Sequence, residues 1–261
     1  MRPTAIRRTA VAATVMSLAL LTAACGSDGA DKDGGNKGKA DESASAKPAA
    51  AAKALTAAEL EKASLAQGDV KGHRITKAGP ADAISAGDVT ADKAACDVFA
   101  DTLMGAKAGS PAASTQRKVI SEPKKGADKD SADPEEAFKA AFDITTTLTT
   151  LSSYEGKGAE EAVAALRTAA TGCASGFTMK AAGTKQKIVK ITEEQVKAGE
   201  DAAAWTVTIE ADGDKSTMKL VQVRQGATVA SFAALNLAAA SSGGDFELPK
   251  AVIDAQVAKL A

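Results

Sequence analysis

The chain has 261 residues, a net charge of -1, 45% hydrophobic residues and only 3% aromatic ones. That is enough for one sizeable domain with appendages, its core built from Ala, Val, Leu and Ile rather than rings. The near-neutral balance excludes the basic footprint of a nucleic-acid binder. Without Arg2, Arg7 and Arg8, the charges of the first 24 residues, 29 basic residues face 33 acidic ones.

Those three arginines form a positive n-region. Ala10 to Leu21 is free of charge, and at 12 residues it is too short for a spanning helix, which needs roughly 20. Thr22-Ala23-Ala24-Cys25-Gly26 follows, and this stretch resembles the lipobox of bacterial lipoproteins. Thr22 stands where that family usually has Leu, which here falls one step earlier at Leu21. The resemblance implies cleavage before Cys25 and acylation of its sulfur, with palmitate-type chains holding the protein on the extracytoplasmic side of the cell membrane. An ordinary secretory signal cut at the same bond is the alternative, because Thr22 and Ala24 also satisfy a small-x-small site. Arg7-Arg8 resembles a twin-arginine signal, but its flanks fit poorly, so the general secretory route is expected.

Gly26 to Ala54 contains no Val, Ile, Leu, Met, Phe, Tyr or Trp. Five acids and five lysines balance within it. Such a segment cannot bury enough apolar area to offset chain entropy, so residues 25–54 are expected to be a lipidated cysteine followed by a disordered tether. As a coil it would span roughly 30 Å.

Residues 55–261 are expected to form a single domain. Thr56-Ala57-Ala58-Glu59 is a capping-box pattern that opens a helix running to about Gln67-Gly68, with Leu55 and Leu60 placed for a staple contact. Val70 to Lys77 reads as a short strand. Asp92 to Met104 reads as a helix with Ala95, Phe99, Leu103 and Met104 on one face and Cys96 beside them. Ser121 to Pro134 is a charged loop. Phe142 to Tyr154, dense in threonine, argues for strand. Gly158 to Cys173 keeps helical spacing and stops at Gly172. Phe177 to Ala181, Lys187 to Thr192, Ala204 to Ala211, Thr217 to Arg224 and Thr228 to Leu237 read as half-buried strands. Leu248-Pro249 opens a final helix with Ile253, Val257 and Leu260 on one face. Helices, then antiparallel strands, then a helix predict an α+β domain: an antiparallel five- to six-stranded sheet with helices packed on one face.

Cys96 and Cys173 remain as a pair once Cys25 is assigned to the signal. In an exported chain they read as one disulfide, with two separate buried thiols as the alternative.

Leu151 to Cys173 (LSSYEGKGAEEAVAALRTAATGC) resembles the helix-and-cysteine segment of actinobacterial cell-surface lipoproteins, and Val223 to Phe232 (VRQGATVASF) a late strand pair of the same proteins. The body distantly resembles the extracellular sensor domain of mycobacterial serine/threonine kinases. That domain carries two cysteine pairs where this chain has one. The resemblance implies a ligand-binding or sensory fold of unknown ligand or protein partner. The alternative is a lipid or glycolipid carrier, as among mycobacterial lipoproteins of half-barrel fold, which would need a large apolar cavity.

Catalytic chemistry finds little support. His73 is the sole histidine, and no G-x-S-x-G, Walker loop, G-x-G-x-x-G or CxxC occurs. His73 is read as a strand or surface residue. Glu210-Ala211-Asp212-Gly213-Asp214 distantly resembles a calcium loop but is better read as a hairpin turn. Glu135-Glu136, Glu160-Glu161 and Glu193-Glu194 are read as acidic pairs near helix starts. Trp205 and Tyr154 are assigned to core packing. No enzyme activity, cofactor, metal or nucleic-acid partner is expected. Intact-mass analysis of membrane-extracted protein should show a chain beginning at Cys25 with diacylglyceryl on its sulfur; a retained signal or a bare sulfur would overturn the anchor.

Overall fold

The computed structural model describes residues 53–261 except 81, 83, 85, 86, 124–139 and 182. The signal, Cys25, nearly all of the tether, Glu135-Glu136 and most of the charged loop expected at 121–134 lie outside the described residues.

The domain opens with α1 (Ala57–Ala63) behind the expected capping box: Glu59 N donates to Thr56 Oγ1 and Thr56 N donates to Glu59 Oε2. The helix ends at Ser64, which turns to extended backbone, about one turn short of the expected stop. Nine described strands then build one antiparallel sheet. In chain order they are β1 (His73–Lys77), β2 (Val89–Ala91), β3 (Ala113–Ser121), β4 (Thr145–Ser153), β5 (Phe177–Ala181), β6 (Thr184–Glu194), β7 (Asp201–Ala211), β8 (Asp214–Gln225) and β9 (Thr228–Asn236). Their spatial order is β1-β3-β4-β9-β8-β7-β6-β5-β2. A 3-10 turn (Ala94–Cys96) leads into α2 (Asp97–Leu103). The long helix is α3 (Gly158–Gly172); α4 (Leu237–Ser242) follows β9, and α5 (Lys250–Ala258) closes the chain.

Two expectations are corrected. The sheet has nine strands, not five to six: all seven segments that read as strands join this one sheet, and β2 and β3, whose signals are weak, add two more. β2 has three residues, and β3 reads Ala-Ser-Thr-Gln-Arg-Lys-Val-Ile-Ser, whose polar side chains find partners within the fold. Gln116 donates to Gly105 O and Thr150 Oγ1; Arg117 donates to Leu65 O and Glu61 Oε1.

The helices also pack on both faces rather than one. One face carries Trp205, Val207, Ile209, Leu220, Ile188 and Met179 beneath α2 and α3, whose Phe99, Leu103 and Leu166 are fully buried. Phe99 and Trp205 meet edge to face at 5.9 Å, a contact of about 1 kcal/mol beyond area burial. The other face carries Ala204, Val221, Val223, Ala230, Phe232, Leu151 and Val119 against Leu60, Leu65, Val252 and Ile253 of α1, the turn after it, and α5. Because side chains alternate along a strand, consecutive residues such as Ala204 and Trp205 serve opposite layers.

α3 is tied to β7 by a forked ion pair from Arg167 to Asp201, at 2.7 and 3.0 Å. Glu160-Glu161 lie in its first turn as expected, whereas Glu193-Glu194 end β6 and open no helix. The β7–β8 hairpin turns at Asp212 and Gly213, both with positive φ (53° and 92°), the conformation a two-residue primed turn requires.

Both sheet edges have side-chain caps. Ile75 N donates to Gln67 Oε1, and Gln67 Nε2 donates to His73 O, so one amide side chain imitates a neighbouring strand along β1. At the far edge, Ala91 N donates to Asp97 Oδ1.

Cys96 ends the 3-10 turn and Cys173 caps α3. Their Cα atoms are 5.9 Å apart, the sulfurs lie at bonding distance, and both residues are buried beneath the α2–α3 layer. A bridge across a separation of 77 residues is worth roughly 4 kcal/mol in the chain-entropy model. The double variant Cys96→Ala/Cys173→Ala should lose about that much stability in urea unfolding, and reducing agent should do the same to the native protein but not to the variant.

Candidate functional site

The register of the first four strands in the sheet sets one row of side chains side by side. His73 pairs with Ser121 and Thr145 with Asn236, while Thr145 N donates to Ser121 Oγ at 2.8 Å. All four project on the α1–α5 face, since they share parity with Ile75, Val119, Leu151 and Phe232. The apolar layer under α1 and α5 stops short of this row. An open groove of about 1030 Å³ lies over it. α4 supplies one wall through Ala238, Ala239 and Ser242, the following loop supplies Asp245, Phe246 and Glu247, and Glu122 and Asp143 add charge.

Asn236 organises the junction of floor and wall. Its Nδ2 donates to Asp143 Oδ1 (2.8 Å) and Thr145 Oγ1 (3.0 Å), and its Oδ1 accepts from Ala239 N (2.9 Å) as the N-cap of α4. The residue is almost fully buried, so its polar atoms are spent on fixing the wall rather than left for solvent.

The loop after α4 is held from below. Lys219 lies on β8, on the same sheet face, with its side chain 2% exposed. Its ammonium donates to Glu194 Oε1 (2.5 Å) and Thr206 Oγ1 (2.7 Å), meets Asp245 Oδ1 at 2.9 Å, and sits 5.7 Å from the centre of the Phe246 ring. Glu194 and Thr206 also contact one another. Burial by itself would raise the Asp245 carboxyl, but the Lys219 ammonium and the Phe246 amide outweigh it and hold the group below the usual aspartate range.

His73 thus falls in the groove, half-buried, with Nδ1 2.9 Å from Lys71 O. Trp205 is core, and Tyr154, just beyond β4, is buried with its hydroxyl donating to Ala108 O at 2.6 Å. Cys96 and Cys173 belong to the α2–α3 layer on the opposite side of the sheet. Asp101 on α2 is pushed up by burial, then by Asp97 and Asp88, and is not part of the groove lining. Among the described residues no group of three or more His, Cys, Asp or Glu is placed to hold a metal ion, and no helix is long and apolar enough to cross a membrane.

Lys219, Asn236, Asp245 and Phe246 were not singled out from sequence. One signal was present for Lys219: a lysine within Met-Lys-Leu-Val-Gln-Val, where an ammonium facing a buried layer needs partners.

No family profile and no curated protein matches the sequence. Among solved structures the chain is similar to the extracellular domain of PknH from Mycobacterium tuberculosis, at 14% identity and a TM-score of 0.43, over 80% of this chain and 95% of that chain.

Asn236→Ala should remove the α4 cap and the ties to Asp143 and Thr145 together. A loss of about 2 kcal/mol in urea unfolding is expected, with the amide protection of Ala239 falling most.

Proposed function

We propose that the chain is a lipid-anchored extracytoplasmic protein whose domain binds a small polar ligand, in a binding or sensor-like role, in the groove over His73, Ser121, Thr145 and Asn236. The address rests on the signal-like first 24 residues and Cys25. The binding reading rests on one observation: an open cavity of about 1030 Å³ whose floor is a row of polar side chains set by strand register. Such a floor is preorganised, which reduces the ordering cost of binding.

Among the described residues the lining carries Glu122, Asp143, Asp245 and Glu247 and no lysine or arginine. Its electrostatics therefore favour neutral or cationic ligands over anions, and nucleic acid is no partner in this reading. The role is non-enzymatic in this reading: the Ser121 hydroxyl accepts from Thr145 N and the Ser242 hydroxyl donates to Ala238 O, so among the described hydrogen bonds neither is held by His73 or a lining carboxylate. A lipid carrier would need an enclosed apolar cavity, and a polar-floored open groove supports that alternative less well.

The test uses the mature chain with Cys25→Ser, screened by thermal shift against neutral and amine-bearing polar small molecules. Ligands found this way should lose their shift in Ser242→Trp, which fills the groove from an exposed position. Shifts retained in Ser242→Trp, or lipid co-purifying stoichiometrically by mass spectrometry, would overturn the reading.

A further inference from the structure

We propose that Lys219 is a positioning residue for the groove: its buried ammonium pins the segment Gly243–Glu247 as a strap that forms one groove wall.

The segment has little else to hold it. Gly243 ends α4 in the left-handed region (φ 67°), Gly244 follows, and residues 244–249 form no regular structure. Gly244 N donates to Ala239 O, continuing the helix end, and Phe246 N donates to Asp245 Oδ1 within the strap. Among the described residues, the strap's polar ties to the sheet run through one cation. Lys219 Nζ meets Asp245 Oδ1 at 2.9 Å and lies under the Phe246 ring at 5.7 Å. The ammonium itself is fixed in the sheet by Glu194 of β6 and Thr206 of β7.

The two partners are asymmetric in a way that suits a strap. The lysine side chain is 2% exposed and that of Asp245 66% exposed. A buried ammonium left without its partners is costly, so the closed strap is favoured. Asp245 is well solvated when released, so opening is local and does not require the sheet to unfold. Glu194 stays with Lys219 in the opened state, which keeps the ammonium paired and makes opening affordable. Asp245 and Phe246 belong both to the latch and to the groove lining, so releasing the latch removes a wall.

The strap takes its functional meaning from the groove being a binding site, but the pinning stands without it, and the assay needs no ligand. Mature protein with Cys25→Ser is digested with chymotrypsin under native conditions, and cleavage after Phe246 is followed by mass spectrometry. Cleavage of a locally opened segment tracks the population of its open form. Asp245→Ala, an exposed substitution that leaves the sheet intact, should be cut at Phe246 about tenfold faster than the native protein. Asp245→Asn, which keeps an acceptor oxygen without the charge, should fall between the two. The melting midpoint should stay near the native value in both. Equal cleavage rates in Asp245→Ala and native protein would overturn the proposal. So would faster cutting accompanied by a matching drop in melting midpoint, since that reports global loss of stability instead of strap release. Failure of the ligand screen leaves this result unaffected.

Discussion

The alternation of side chains across β7, β8 and β9 governs the rest of the architecture. Ala204 and Trp205 are neighbours in sequence and buried in different layers, and so are Leu220 and Val221. Neither face of these strands can be left to water, because each exposes a contiguous apolar row. Two helical layers are therefore required. α2 and α3 cover one face, joined by the Cys96–Cys173 pair, and α1 and α5 cover the other. α1 and α5 are short, 7 and 9 residues, and they leave one end of the β1-β3-β4-β9 half open. Among the described residues, the groove occupies that end.

Two buried cations secure the margins of the α1–α5 layer. Arg117 on β3 reaches Leu65 O beyond the end of α1 and Glu61 within it, fixing where the chain leaves the helix. Lys219 on β8 does the same for the segment after α4 through Asp245. Neither pair need add much net stability, since desolvating an ion cancels much of its Coulombic gain. Their effect is positional. Moving either loop takes one partner from a buried cation that keeps its others, so alternative placements of these loops are penalised without the sheet being disturbed.

Strand signals in the sequence were strongest where burial is one-sided or nearly so. Phe177–Ala181 is recovered to the residue, and Trp205, Val207 and Ile209 share a face as their spacing requires. Thr228 to Leu237 was readable as a strand, yet its near-continuous apolar run is the mark of burial on both faces, which implied a second helical layer. β3 was missed because Gln116 reaches Gly105 O and Arg117 reaches Leu65 O and Glu61, partners more than ten residues away that no local pattern reports. α4 was missed because Leu-Ala-Ala-Ala-Ser-Ser lacks a helical stripe and its start depends on the Asn236 side chain, which the same sequence makes look like the end of a strand. The groove shared this fate. His73, Ser121, Thr145 and Asn236 are scattered over 164 positions and meet through register alone.

The edge caps bear on how such a domain can recognise anything. A sheet with free edges can accept a peptide as an added strand. Here the outward-facing His73 O and Ile75 N of β1 are already bonded to the Gln67 side chain, and Ala91 N of the three-residue β2 is bonded to Asp97. An incoming strand would have to displace these side chains before gaining its own hydrogen bonds. A ligand in the groove would meet side chains standing off the sheet surface, so it need not compete for the strand-to-strand ladder. That difference, more than the groove's size, is the physical reason to place ligand binding on the sheet face and not at its edges.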